Sequence, residues 1–400
     1  QMQHIHLSLC DWLLEKEKIM ISNFFVNSNI DFGRGAINNL SELLVEYGID
    51  KVMIVYDSGV KAAGIADKVL EQIVKAGIEY TIFDDVIPNP TNEIVERASE
   101  VAKAEDVKGF VAVGGESSID LAKAVNILMT NPGRIGQYGG MDMIKNNCLP
   151  LIAIPTTAGT SSEITNVCAL IDTEKVIKYV IIDNKIVASN VILDPNLTKT
   201  MPSSVTAATG MDAITHAIES YISNLATPLS SYNSLKGLQI LYDNVVNVVE
   251  NGDDMHSREQ MMLGCVITGF GFSNANLGLV HGIAHTLSAH FGLAHGMANA
   301  TVLPYVLEYN APSCTKKMIE LAKAIGLETT GNDEDDQYLL VMAIKLLIRK
   351  LSIKTLSEQG IRKQDFDMIA EDVLKEPVLR FNPRQDMTKK DIVSILLKSY

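Results

Sequence analysis

The five cysteines of the chain (Cys10, Cys148, Cys168, Cys265 and Cys314) form no CxxC pair and share no regular spacing. That argues against a disulfide frame or a zinc ribbon and fits reduced thiols in a cytosolic protein. Positive charge is also short: 34 Lys and Arg stand against 48 Asp and Glu, a net charge of −14. With no basic stripe to offset this excess, nucleic acid is not an expected partner. No uninterrupted run of about eighteen apolar residues occurs, so no membrane span is expected. The compact zinc-protease word HExxH is missing, and histidine is scarce, with eight in 400 residues. There is no internal repeat and no low-complexity segment.

What is there reads as a globular protein, 47% hydrophobic and 20% charged, long enough for two domains with substantial cores. Residues 1–22 differ from the rest. QMQHIHLSLCDWLLEKEKIM lacks a basic start before its short apolar stretch, which argues against a signal peptide, and it is read as an extension without chemistry. From Asn23 to about residue 200, short β-branched runs such as KVMIVYD and GFVAVGG alternate with helical patterns. This alternation predicts an α/β domain whose parallel sheet has helices on both faces. VIKYVIIDNKIVASNVILDP is expected as a hairpin or edge strands. After a boundary near 196–202, the patterns to residue 400 are almost wholly helical, an all-α domain.

Four of the eight histidines fall in GLVHGIAHTLSAHFGLAHGMAN: His281, His285, His290 and His295. His281 and His285 are spaced i, i+4 and share a helix face. Upstream, TGMDAITHAIESY puts Asp212 and His216 at the same spacing. One carboxylate with two or three imidazoles suits Fe(II), Zn(II), Mn(II) or Co(II). Spacing alone leaves open that these are ordinary core histidines.

Three stretches of the first half carry further candidates. Gly114 and Gly115 end a strand and open a helix, a phosphate cradle or simply a tight turn. Asp57, at the carboxyl end of KVMIVYD, can accept from the ribose hydroxyls of NAD and repel the 2′-phosphate of NADP, or can cap the following helix. In IPTTAGTSSEITN, Thr156, Thr157 and Thr160 can donate hydroxyls to a diphosphate or ribose, or form an ordinary loop.

The words TGMDAITHAIESY, GLVHGIAH and AHGMANA resemble the iron-containing (group III) alcohol dehydrogenase family, and the likeness runs from about Asn23 to Tyr400. It implies a metal held by Asp212, His216, His281 and His295, with His285 beside it as a proton relay and His290 outside the site. It also implies a cofactor site of Gly114, Gly115, Ser117, Asp120, Lys123 and Lys178, together with Asp57 and the threonines. The expected activity is hydride transfer between NAD(H) and a small aldehyde or primary alcohol, around one Fe(II) or Zn(II), in a cytoplasmic homodimer or higher homo-oligomer. Several residues depart from the family pattern. Glu116 replaces the third glycine of the cradle, Ser161 replaces a glycine, and Asn27, Ala188 and Lys354 stand where prolines are common. Thr286, Ser288 and Ala294 also depart, and these three are expected in the pocket wall. Two alternatives stay open: a dehydroquinate synthase-like lyase and a non-catalytic assembly module. The apolar stretch Met261 to Phe272 fits either a dimer interface or core packing.

Overall fold

The computed structural model describes residues 23–26 and 28–400. The extension 1–22 and Asn27 lie outside the described residues. In chain order the first half contains β1 (Asn29–Phe32), α1 (Leu40–Glu46), β2 (Lys51–Tyr56), α2 (Ser58–Ala62), α3 (Ile65–Lys75), β3 (Glu79–Phe83) and α4 (Asn92–Ala104). There follow β4 (Gly109–Gly114), α5 (Glu116–Thr130), β5 (Gly140–Met141), β6 (Leu151–Pro155), β7 (Val167–Asp172), β8 (Ile177–Ile182) and β9 (Asn190–Leu193).

Six strands form one sheet in the order β1-β9-β6-β4-β2-β3, every pair parallel. Alternation along β2 explains why both faces need cover. Val52 and Ile54 join a core with Leu40, Leu44, Val69 and Ile73 of α1 and α3. Met53 and Val55 join the opposite core, with Val95, Leu121 and Ile127 of α4 and α5. The expected pairing of the last two strands needs correction. β8 forms its hairpin with β7, antiparallel, in a separate small sheet ordered β5-β8-β7. β9 inserts between β1 and β6 in the main sheet, buried along its whole length. An apolar run of four residues reads the same from either sheet, so only the partner strands decide.

The second half consists of α6 (Ser203–Ile222), α7 (Pro228–Glu250), α8 (Met255–Ala275), α9 (Leu279–Phe291) and α10 (His295–Asn310). It continues with α11 (Thr315–Ala324), α12 (Leu339–Lys350), α13 (Phe366–Val373) and α14 (Lys389–Lys398). From Gly210 to Ile222 every residue of α6 is buried, the mark of a central helix. α7 and α8 flank it and pack backbone against backbone: a Cβ on Gly237 would come within 2.0 Å of Thr268 Oγ1, and one on Gly271 within 2.2 Å of Ser234 Oγ. Met261 and Cys265 of α8 face the helical core, while Met262 and Val266 face the sheet's core. Core packing therefore accounts for the apolar stretch 261–272. Among the described residues no single helix is long and apolar enough to cross a membrane; α8 and α9 pass that test only as a pair bent by 98°.

Candidate metal centre and adjoining cavity

From Gly210 onward α6 is buried on all sides, so its polar residues there must find partners in the interior. Asp212 and His216 lie one turn apart, with Oδ1 and Nε2 4.0 Å from each other. α9 brings in His281, and the ligand atoms of these three residues all lie within 4.8 Å of one another. His295 opens α10, its ring centroid 5.2 Å from that of His281. Asn299, one turn along α10, ties the group together. Its Nδ2 lies 2.7 Å from Asp212 Oδ1 and 3.2 Å from Nε2 of both His281 and His295. The structure thus gathers all four residues named as metal ligands.

The donor set fits a divalent cation. Burial, then the neighbouring imidazole of His216, holds His281 well below the usual imidazole range. Burial and then Lys178 do the same for His295. Both rings are thus held toward the neutral form, the form that ligates a metal, and their Nε2 atoms, now facing the Asn299 amide, point into the cluster. Asp212 Oδ2, His216 Nδ1, His295 Nδ1 and Asn299 Oδ1 are buried without a hydrogen-bond partner. Among the described residues, no lysine or arginine lies within 4.0 Å of the Asp212 carboxylate. A buried carboxylate beside neutral imidazoles is costly unless a cation joins it.

The close approach of α10 to α6 depends on Gly296, where a Cβ would meet Ala208 O at 2.5 Å and Asp212 Cβ at 3.2 Å. Gly296→Ala is expected to push His295 away from Asp212 and to weaken metal binding by about tenfold or more. A chelator-competition titration checks this, and unchanged affinity would contradict the packing argument.

Sequence reasoning missed three residues. Glu219 Oε2 lies 2.6 Å from His281 Nδ1, while its carboxylate also accepts from the backbone N–H of Val280 and His281. Burial pushes this carboxyl up to about 7. It fixes the ring of His281 so that Nε2 faces the cluster. A signal was present, because Glu219 follows Asp212 by seven residues on the same helix face. Asn299 also had one, at i+4 from His295. Glu376, 3.2 Å from His285 Nδ1, had none, being 91 residues away. His285 itself stacks on His295, centroids 5.5 Å apart, and borders the cavity. His290 pairs with Asp372 at 2.9 Å on the surface, outside the site.

The candidate cofactor residues are spread over the carboxyl ends of β2, β4 and β6 and the strand β8. Gly114 has φ 144°, and a Cβ there would strike Ser118 Oγ at 2.5 Å, so only glycine closes this turn. A Cβ on Gly115 would meet Thr157 Oγ1 at 3.4 Å, which places the two loops side by side. Ser117 Oγ accepts from Asn89 N–H. Thr156 continues the strand contact through its N–H to Gly114 O, and Thr160 borders the cavity. Asp57 caps α2, Oδ1 accepting from Val60 N–H at 2.8 Å; the helix-cap reading uses one oxygen and leaves the other. Ser161 takes a left-handed conformation, φ 54°, where glycine is easier; its hydroxyl donates to Cys265 O at 2.7 Å.

Asp120 and Lys123 differ from the others. Lys123 is wholly buried and donates to the carbonyls of Ser162, Thr165 and Val167 at 2.5, 2.9 and 2.8 Å, which engages all three of its protons. Asp120 accepts from Ser162 Oγ and, at 2.8 Å, from Ala169 N–H. Both brace the loop after β6; Asp120 also borders the cavity, whereas Lys123 does not and is placed as a support for that loop. Thr286, Ser288 and Ala294 also need correction, since none borders the cavity. Thr286 turns about 100° from His285 and bonds Gly282 O, while Ser288 bonds Leu293 O beyond the cluster.

Burial raises the carboxyl of Glu163 to about 7, against the attraction of Lys123. A folded value above the unfolded one stabilises the protein most below the unfolded value, near 4.5, and that contribution is lost as pH rises through about 7. Glu163→Gln is expected to flatten the fall in stability between pH 5 and 8 by on the order of 2 kcal/mol. Urea midpoints at the two pH values measure it; parallel slopes in wild type and variant would refute it.

A cavity of about 390 Å³ joins the two halves of the site, bordered by Thr160, Lys178, His216, His281, His285 and Val378. A parallel α/β domain joined to a helical domain, with a carboxylate–imidazole cluster beside the cavity that both line, defines a two-part fold with a candidate metal centre. Residues 27–195 match the family described as iron-containing alcohol dehydrogenase, and residues 206–400 match the C-terminal part of the Fe-containing alcohol dehydrogenase family. The chain belongs to the iron-containing alcohol dehydrogenase family and is an oxidoreductase of the alcohol dehydrogenase class.

Alcohol dehydrogenase 4 of Saccharomyces cerevisiae (strain YJM789) is 34% identical over 383 residues, 95% of this chain and 99% of that protein. NAD-dependent methanol dehydrogenase of Bacillus methanolicus is 32% identical over 378 residues, 94% of this chain and 99% of that protein. The crystal structure of a 1,3-propanediol oxidoreductase superposes with a TM-score of 0.92 at 35% identity, covering 95% of this chain and all of that one. Two of these relatives carry the names of dehydrogenases and the third that of an oxidoreductase.

Proposed function

We propose that the chain interconverts small aldehydes and primary alcohols with NAD(H), around one divalent metal held by Asp212, His216, His281 and His295. The carrying observation is the buried cluster of Asp212, His216 and His281 with the half-buried His295 beside it, whose orphaned polar atoms share one cavity with Thr160 and Lys178. A bound metal would supply a Lewis acid for the substrate oxygen, and NADH the hydride. The protein's part is to bind, orient and exclude water. Phe272, Leu277 and Val378 furnish apolar wall. Asp57 favours NAD over NADP because its free oxygen would repel a 2′-phosphate. Iron is the proposed metal, with zinc an alternative that availability decides. The proposed setting is a cytoplasmic homo-oligomer.

His285 is the proposed proton relay. Glu376 accepts from its Nδ1–H, which leaves Nε2 free to exchange a proton between the substrate oxygen and solvent. His285→Ala is expected to lower kcat by about a hundredfold while leaving the metal content unchanged. Loss of metal along with activity would instead make His285 a ligand.

The deciding experiment strips the protein with chelator and reloads it with Fe(II) under anaerobic conditions, or with Zn(II). NADH consumption is then followed against a panel of short aldehydes. Metal-dependent turnover is expected; NADH binding and metal binding without turnover on any aldehyde would refute the substrate class.

A further inference from the structure

The first turn of α5 carries a carboxylate where a dinucleotide would bring its own negative charge. Glu116 is the one acidic residue of that turn. The earliest hydrogen bond of the helix runs from Ile119 N–H to Gly115 O, so the N–H groups of residues 116–118 have no partner within it. The Glu116 side chain crosses to the small sheet, its Oε1 3.8 Å from Nζ of Lys178 on β8. Both residues border the cavity.

The two partners are unequal. The Lys178 side chain is 3% exposed and that of Glu116 is 26% exposed. A nearly buried ammonium needs acceptors. Apart from Glu116, Lys178 has Asn89 Oδ1 at 3.5 Å, and among the described residues no other carboxylate lies within 4.0 Å of it. Glu116 is thus attracted by the positive end of α5 and by the lysine together. An incoming dinucleotide needs the same lysine and the same N–H groups.

We propose that the Glu116–Lys178 pair is a latch across the cofactor cleft, an internal anion that a dinucleotide displaces on binding. This rests on the NAD(H) reading above. Lys178 is held in place by burial, whereas Glu116 is free to swing toward solvent, so Glu116 is the moving part. The latch weakens cofactor affinity because the attraction within the pair is given up on binding. It also keeps the buried lysine compensated while no cofactor is present.

The test is a fluorescence titration of the full-length protein with NADH, in the wild type, Glu116→Gln, Lys178→Met and the double variant. Glu116→Gln is expected to tighten NADH binding by about tenfold, the scale of one charge pair in a partly solvated cleft. In the Lys178→Met background the same change is expected to give a clearly smaller gain. An equal gain in both backgrounds would mean simple repulsion and would overturn the latch. Weaker binding by Glu116→Gln would also overturn it, marking Glu116 as an acceptor for cofactor hydroxyls. If none of the four proteins binds NADH, the NAD(H) reading itself fails, and the latch with it.

Discussion

Replacement of His281 by alanine is expected to abolish metal retention and to lower NADH-dependent turnover by about a thousandfold or more. His281 is 1% exposed and is the contribution of α9 to the three ligand atoms that lie within 4.8 Å of one another. Without it three donors remain, Asp212 and His216 on one helix and His295 opposite, and the ring that Glu219 holds toward them is lost. The loss is compounded at Glu219, whose carboxylate would stay buried without the imidazole that it contacts at 2.6 Å. Elemental analysis of purified protein, together with turnover, reads both effects. His290→Ala is the control, because that ring lies at the surface against Asp372. Stoichiometric metal in His281→Ala would remove this residue from the site.

The second large effect is expected at a residue that touches no substrate or cofactor. Glu219→Gln keeps the size of the side chain and one acceptor oxygen for the Val280 N–H, but removes the charge that orients the His281 ring and the second oxygen, which accepts from the His281 N–H. An amide can present N–H to Nδ1, which would turn the proton to Nε2 and spoil the lone pair facing the cluster. Metal affinity is expected to fall 10- to 100-fold, the usual range for such supporting carboxylates. Competition with a chromogenic chelator measures it. Glu219→Asp distinguishes charge from reach: a shorter acid that restores part of the affinity supports the electrostatic role, and equal losses in both variants assign the effect to packing.

The residues that could be read in advance are those whose chemistry is local. The pairs Asp212/His216 and His281/His285 lie one helical turn apart, and 3.6 residues per turn is enough to align them. Gly114 was legible because only glycine accepts its backbone conformation. The alternation of β-branched runs with helical patterns likewise implied a parallel sheet, because both faces of such a sheet must be apolar. Asp57 was legible as two readings, cap and ribose acceptor, and its 2.8 Å bond from Val60 N–H uses one oxygen and leaves both standing.

Contacts between distant segments were beyond the reach of the sequence. Glu376 meets His285 across 91 residues, and no periodicity links them. Lys123 had the position of a cofactor contact, but the tertiary structure spends its three protons on the loop that carries Ser162 and Thr165. β9 carried the same apolar run as an edge strand, and only its pairing with β1 and β6 made it interior. The sequence by itself determined the donor types, the helical spacing of the candidate ligands and the α/β-then-helical order, since each follows from backbone geometry and side-chain chemistry within a few residues. The tertiary structure alone decided which helices converge, what holds each ring in place and which polar atoms are left without partners, because these depend on burial and on packing between distant elements.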